Sequence, residues 1–370
     1  MRRVSRWMTM LIADRFNVHE SGGTVNLIDY EKSLGRPSCQ IPSCRKAVRL
    51  VQSLSTNITG NDMTELDAAF QQALDYLYSF VDYSLTRNLR NLPEKFNLDR
   101  MRALMLRLGN PHQKYPVIHV AGTKGKGSTA AMIAGALQAA GYRVGFYTSP
   151  HLIEFTERVQ VNREQISRQA LVDIVEQLKP HVAEIPQLTT FELTTAIGFL
   201  YFAQQAVDIA VVEVGLGGRL DATNVVTPLL SVITSISYDH TFVLGHTLAA
   251  IAGEKGGIIK PGRPVVIAPQ KDEARDVFIA LAQERHAPLT QVGVDVTYSL
   301  GEHSLAGQSF HVAARGQAGA PLELSIPLLG THQVENAATA YTALLIARRE
   351  GFAIPDEAIR HGFSAVEWMG

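Results

Sequence analysis

The sequence predicts an α/β fold: a doubly wound, mostly parallel sheet with a P-loop and helices on both faces. Three observations carry this reading. Strand-length apolar runs alternate with helix-length stretches from Pro116 to Arg285, the pattern of βαβ units. Several of those runs, "DIAVVEVG" and "LLSVITSI" among them, are continuously apolar, as strands buried on both faces of a parallel sheet are. Finally, "VIHVAGTKGKGST" (Val117 to Thr129) places a loop rich in glycine and lysine between a predicted strand and a predicted helix.

The elements follow in order. Residues 1–62 lack sustained periodicity and carry "HESGGTVN", "GRPSCQIPSC" and "STNITGND", so they read as a poorly ordered extension. The domain proper is expected over 63–365. "TELDAAFQQALDYLYSFVDY" spaces Leu66, Phe70, Ala73, Leu74, Leu77, Phe80 and Val81 as a helix does. A second helix is expected over "LDRMRALMLRLG", stopped by Gly109 and Pro111. Then come strand "PVIHVAG", helix "GSTAAMIAGALQAAG" and strand "RVGFYTS". Helices "QALVDIVEQLKP" and "TTAIGFLYFAQQA" precede the two continuous strands, and "LAAIAGEKGGII" (helix), "PVVIAP" (strand) and "DEARDVFIALAQER" (helix) complete the alternation.

Composition narrows the function classes. The chain has 370 residues, 46% of them hydrophobic, enough for a sizeable core and for about two or three domains. A net charge of −1 gives no support to a nucleic-acid surface, which would usually show a basic excess. No stretch reaches the roughly 20 apolar residues of a membrane helix, and the opening "MRRVSRWMTML" is too short and too broken for a good signal peptide. Asn57-Ile58-Thr59 fits a glycosylation acceptor, a match common by chance. Both cysteines, Cys39 and Cys44, fall in the extension, which leaves the domain without a disulfide framework or a cysteine-based zinc site.

The loop after the first strand follows the logic of a phosphate cradle. Gly122, Gly125 and Gly127 let the backbone turn tightly and approach a ligand, and the following helix N-terminus favours an anion. Lys126 can reach a terminal phosphate, and Ser128 or Thr129 offers a hydroxyl. The match to G-x-x-x-x-G-K-[ST] is imperfect, since Val120 stands where the first glycine is expected and Gly127 separates Lys126 from Ser128. As a bare pattern it also fits an ordinary Gly-rich turn; its place between strand and helix favours nucleotide binding. "VVEVGLGGRLDATN" puts Glu213 at a strand's C-terminal end, where open α/β sheets form their ligand crevice. There a carboxylate suits a Mg²⁺ ligand or a base, or simply faces water. His240 of "SYDHT" ends the next strand in the same way.

Taken with "YTSPHL", "TTFE", "AGEKGGIIK" and "THQVENA", these segments resemble the folylpolyglutamate synthase and dihydrofolate synthase family of the Mur ligase superfamily. The likeness runs from about Leu66 to Trp368 in the family's order, and cell-wall Mur ligases do not share the "GLGGRLDATN" wording. It implies the Mur ligase central ATPase domain and an ATP-dependent ligase, working in folate biosynthesis and one-carbon metabolism, that adds L-glutamate to folates, to dihydropteroate, or to both. It implies ATP phosphates held by Gly122, Thr123, Gly125, Lys126, Gly127 and Ser128, with Asn336 near the adenine. Mg²⁺ would be ligated by Ser149, Glu213 and His240, and Lys255 would match a lysine that is carbamylated by CO₂; a solvated helix lysine is the plainer reading. Lys126, Glu213, His240 and Lys255 would form the catalytic set. Thr189, Thr190, Phe191, Glu192, Leu220, Asp221 and Ala222 would line the pterin pocket. Lys124 stands where many members have asparagine.

The partners expected are small molecules only, with no nucleic acid or membrane, and the enzyme is expected to be a cytoplasmic monomer. Two other readings stay open: a Mur-type ligase with another carboxylate substrate, and a catalytically weak nucleotide-binding fragment. The second arises because "DEAIRHGFSAVEWMG" looks like a helix followed by a linker. Where family members commonly continue W-P-G-R into a C-terminal domain, Met369 and Gly370 follow Trp368. Residues 366–370 are thus expected to begin that linker, and on this reading the chain as given would be a poor ligase.

Overall fold

The computed structural model describes residues 64–81, 97–239, 241–316 and 319–368. The extension over 1–62, Cys39, Cys44, Asn57-Ile58-Thr59, His240, Met369 and Gly370 lie outside the described residues. The described residues fall in one compact unit beginning at Thr64.

Helix α1 (Glu65–Tyr78) starts at Thr64, whose side chain accepts from the Asp67 N–H while Asp67 reaches back to the Thr64 N–H. It buries Ala73 and Leu77, on the predicted face. Helix α2 (Asp99–Arg107) buries Met101, Leu104 and Met105. Strand β1 (Val117–Ala121) leads through the glycine loop into α3 (Lys126–Ala139), then β2 (Val144–Tyr147). A hairpin, β3 (Val159–Val161) and β4 (Glu164–Gln165), precedes α4 (Arg168–Val182) and α5 (Thr190–Gln204). Next come β5 (Ile209–Glu213), β6 (Leu230–Ile233), the short α6 (Thr241–Leu244), α7 (Leu248–Lys255), β7 (Val265–Ile267), α8 (Asp272–Glu284) and β8 (Leu289–Gln291).

The main sheet has eight strands in the order β4-β3-β2-β5-β1-β6-β7-β8. The run from β2 to β8 is parallel, and only β3 and β4 pair antiparallel, at one edge. The doubly wound, mostly parallel prediction holds. Alternation along β1 explains why both faces carry helices: Ile118 and Val120 enter one core with α3, while Val117 and Ala121 enter cores on the opposite face. Helix α3 is buried from Gly127 to Leu137, which explains its lack of a polar stripe.

Several elements were not anticipated. A small antiparallel sheet, in the order β11-β10-β9, is formed by β9 (Val296–Ser304), β10 (Gly307–Ala314) and β11 (Leu322–Ile326). It packs Phe310, Val312, Leu324 and Ile326 into the core that also holds α3 and α9 (Thr331–Arg349). The hairpin β3–β4 was also missed. The last helix, α10 (Asp356–Ser364), lies where the helix before the linker was expected; beyond it Val366 is buried and Trp368 lies edge-on to Phe146, ring centroids 6.0 Å apart. Among the described residues no helix is long and apolar enough to cross a membrane.

Candidate active site

The glycine loop begins where β1 ends. Gly122 has φ +148°, and a Cβ there would fall 1.8 Å from Thr234 Oγ1, so a side chain is excluded. The loop's first arm is tied to the segment after β6: the Thr123 and Lys124 N–H groups both donate to Ser235 O, at 3.0 and 3.2 Å, and Thr234 Oγ1 donates to Lys124 O at 2.7 Å. Gly125, at φ +80° and ψ 3°, caps α3 with no side-chain hydrogen bond. The first N–H groups of α3 therefore point at the loop without an internal partner, the arrangement that receives an anion. Asn336 on α9 closes the other side, its Oδ1 only 2.1 Å from where a Gly125 Cβ would stand. Thr129 Oγ1 donates to Asn336 O at 3.5 Å.

Lys126 opens α3 and points at the end of β5. Its Nζ lies 3.8 Å from Oε1 of Glu213, which is buried. The Glu213 Oε2 accepts from Thr148 Oγ1 and, at 3.3 Å, from the Ser149 N–H. Burial pushes the Glu213 carboxyl up, and the Lys126 charge and the two donors after β2 oppose that rise. Lys255, at the end of α7, is also buried and donates from Nζ to Gly122 O at 2.8 Å. Burial first, then the nearby Lys126 charge, pulls its amine down to about 8, against the pull of Asp239 and Asp221. The structure thus brings Lys126, Glu213, Ser149 and Lys255 around one loop. Among the described residues no three His, Cys, Asp or Glu side chains gather as a metal cluster.

Beside Ser149 opens a cleft of about 480 Å³. All seven residues expected to line a pterin pocket, Thr189, Thr190, Phe191, Glu192, Leu220, Asp221 and Ala222, are in its wall. Thr189 and Glu192 cap α5 reciprocally, which fixes that wall at the helix N-terminus. Asp221 spans the glycine-rich turn after β5, with Oδ2 accepting from the Leu216 N–H at 2.8 Å and Oδ1 from the Thr223 N–H at 3.0 Å.

Two site residues carried no signal that the sequence reading used. Arg100 of α2 lines the cleft and its Nε lies 3.2 Å from Glu192 Oε1. Arg158, after β2, lines it too and donates from Nε to His151 Nδ1 at 2.7 Å. A helical arginine reads as a solvated face, and the Glu192 that pairs with Arg100 sits in the cap of α5, far along the chain.

Residues 120–344 match the family described as the Mur ligase middle domain. The dihydrofolate synthase/folylpolyglutamate synthase of Bacillus subtilis is 44% identical over 310 residues, covering 82% of this chain and 69% of that protein. The folylpolyglutamate synthase of Lacticaseibacillus casei is 37% identical over 306 residues, covering 81% and 69%. Among solved structures, the apo form of L. casei FPGS superposes with a TM-score of 0.74 at 36% identity, over 81% of this chain and 72% of that one. A complex of FPGS with AMPPCP and folate gives a TM-score of 0.73 at 36% identity, over the same shares. On these similarities, and on a site assembled from the same segments that carry the resemblance, the chain belongs to the folylpolyglutamate synthase and dihydrofolate synthase family, built on a Mur ligase middle domain.

Proposed function

We propose that this chain carries an ATP-dependent ligase site that joins the amine of L-glutamate to the carboxylate of a pterin-bearing substrate, dihydropteroate, tetrahydrofolate or both, through an acyl phosphate. One observation carries the reading: Glu213 bridges the two halves of the site. Lys126 of the phosphate loop lies 3.8 Å from one of its oxygens, and the Ser149 N–H, in the wall of the substrate cleft, donates to the other. A phosphate held by the loop and a carboxylate reaching out of the cleft would therefore meet.

The chemistry needs that meeting. A carboxylate does not condense with an amine near neutral pH, because oxide or hydroxide would have to leave. In the first step a substrate carboxylate oxygen bonds to the γ-phosphorus, the bond from that phosphorus to the bridging oxygen breaks, and ADP leaves with the electron pair. The glutamate nitrogen then bonds to the acyl carbon and gives up a proton, the bond to the phosphate oxygen breaks, and amide and phosphate result. Lys126 and the first-turn N–H groups of α3 carry the charge of the phosphoryl oxygens during transfer.

The donor set also suits Mg²⁺, which prefers oxygen, keeps several waters and needs only one or two carboxylates beside substrate phosphates. We assign it to Glu213 and Ser149, with His240, outside the described residues, as the third ligand. When bound it would neutralise phosphoryl charge. Lys255 we read as carbamylated: its amine is buried beside Gly122 and reaches its neutral form near pH 8. Asn336, beside Gly125, is assigned to the adenine. We place this activity in the cytoplasm, as a monomer acting on small molecules.

The test is purified chain with Mg·ATP, glutamate and either dihydropteroate or tetrahydrofolate, read by product mass, against a UDP-sugar peptide. Glutamate addition to a pterin substrate is expected. Phosphate release driven by the UDP-sugar peptide instead would overturn the substrate assignment. Lys126→Ala should weaken ATP binding by about 2–3 kcal/mol, the scale of a lost charged hydrogen bond; unchanged affinity by titration calorimetry would sink the phosphate-loop assignment.

A further inference from the structure

We propose that His119 is a positioning residue for the substrate cleft: acting through Thr223, it holds the Asp221 carboxylate, and with it the 215–221 turn, in the shape that receives the pterin end of the substrate. The inference rests on the pterin-bearing substrate proposed above.

His119 stands in the middle of β1, fully buried, paired with Val212 of β5 on one side and Ser231 of β6 on the other. Its Nε2 lies 2.8 Å from Thr223 Oγ1. The Thr223 hydroxyl donates in turn to Asp221 Oδ1. A hydroxyl has one proton to give, and here it goes to the carboxylate. The threonine oxygen must then accept, so Nε2 must carry the ring proton and Nδ1 must be bare. The surroundings agree: Nδ1 is buried with no hydrogen-bond partner, and burial beside Lys260 pushes the ring's pKa down to about 3, which keeps it neutral.

A side chain serving packing alone would be apolar here, as central parallel strands usually are. Leucine would occupy the site without stranding a nitrogen, whereas an orphaned buried acceptor is destabilising. What histidine adds is a neutral donor aimed at Thr223, which polarises that hydroxyl toward Asp221. The recipient is sensitive to it. Asp221 is buried, burial pushes its carboxyl up, and its other oxygen holds the Leu216 N–H at 2.8 Å. Gly215 through Asp221 all line the cleft, so a carboxylate that turns takes one wall of the cleft with it.

The experiment uses the full chain and four single variants, His119→Leu, His119→Gln, Thr223→Val and Thr223→Ser, with the His119→Leu/Thr223→Val double. The dissociation constant of 7,8-dihydropteroate is read by pterin fluorescence and that of ATP by calorimetry. His119→Leu and Thr223→Val should each weaken dihydropteroate about tenfold, the scale of one hydrogen bond to a charged group, with ATP affinity unchanged. Glutamine, which restores an amide N–H at comparable reach, and serine, which restores the hydroxyl, should return affinity to within about threefold. The double should be no weaker than the weaker single, because both cut the same chain. Wild-type affinity in Thr223→Val, additive losses in the double, or no rescue by Gln and Ser would each overturn the proposal. If His119→Leu does not fold, the Thr223 pair and His119→Gln decide. Wild-type chain that binds ATP but neither dihydropteroate nor tetrahydrofolate overturns the substrate reading and this inference together.

Discussion

Gly125→Ala tests the geometry of the phosphate loop without assuming any ligand. Two costs are expected. The residue sits at φ +80°, where an L side chain costs about 1 kcal/mol or somewhat more. A Cβ would also fall 2.1 Å from Asn336 Oδ1 and 2.7 Å from its Cγ, distances no real contact shows. Asn336 is buried and its Nδ2 donates to Gln333 Oε1 at 3.0 Å, so moving it gives up about 1 kcal/mol of hydrogen bonding. The sum is about 2–3 kcal/mol of unfolding free energy. The two parts separate by mutation, because in an Asn336→Ala background the collision is gone and Gly125→Ala should cost only about 1 kcal/mol. Urea denaturation of the four chains at one pH measures both. Gly253→Ala in α7, where a Cβ meets nothing within 4 Å, is the control and should stabilise by about 0.5–1 kcal/mol. Equal costs for Gly125→Ala in both backgrounds would show that Asn336 does not close the loop, and no cost at all would refute the left-handed cap.

Three further outcomes are expected. With ¹³C-bicarbonate, a lysine carbamate resonance should grow as pH rises through about 8, where the Lys255 amine becomes neutral, and should vanish in Lys255→Met; a resonance that persists in Lys255→Met refutes the assignment. Arg100→Met leaves the Glu192 carboxylate buried in the cleft wall beside the Thr189 N–H, and should destabilise the fold by about 3 kcal/mol in denaturant, most of it recovered by adding Glu192→Gln. The chain has two tryptophans, Trp7 and Trp368, and a Cβ at Gly127 would lie 2.1 Å from the Trp368 ring. In a Trp7→Phe chain, saturating Mg·ATP should therefore change the intrinsic fluorescence; a flat titration with calorimetric binding would place the nucleotide away from the start of α3.

Much of the parallel sheet was legible because most of its strands are short and mostly apolar, several of them bounded by glycine or proline, and because long helices separate many of them. The glycine loop between β1 and α3 was legible for a sharper reason: glycines at 122 and 125 are required by φ and by the approach of Thr234 and Asn336, and no other residue type meets both demands. The small sheet escaped. Strand β9 is mostly exposed and carries Gly301, Glu302 and His303, and its inward residues find a core only once β10 brings Phe310 and Val312 beside them. His119 escaped as well. Within "VIHVAG" it is one polar residue in an apolar strand, and its partner is 104 positions away in a turn whose shape depends on Asp221.

That dependence on distant partners also explains why the two halves of the site meet at Glu213. Strand β5 lies between β2 and β1, with Val212 beside Tyr147 of β2 and Glu213 beside Val120 of β1. In a parallel arrangement all three chains leave the sheet at the same edge. The chain leaving β2 must therefore carry Thr148 and Ser149 past one side of Glu213, and the chain leaving β1 must carry Gly122 to Lys126 past the other. The bonds observed are those this register allows: Thr148 and Ser149 on Oε2, Lys126 near Oε1. From Ser149 the wall continues into the cleft, and from Lys126 the helix continues behind the phosphate loop. A carboxylate on the strand between the two is the position from which both can be felt, and the strand order alone puts Glu213 there.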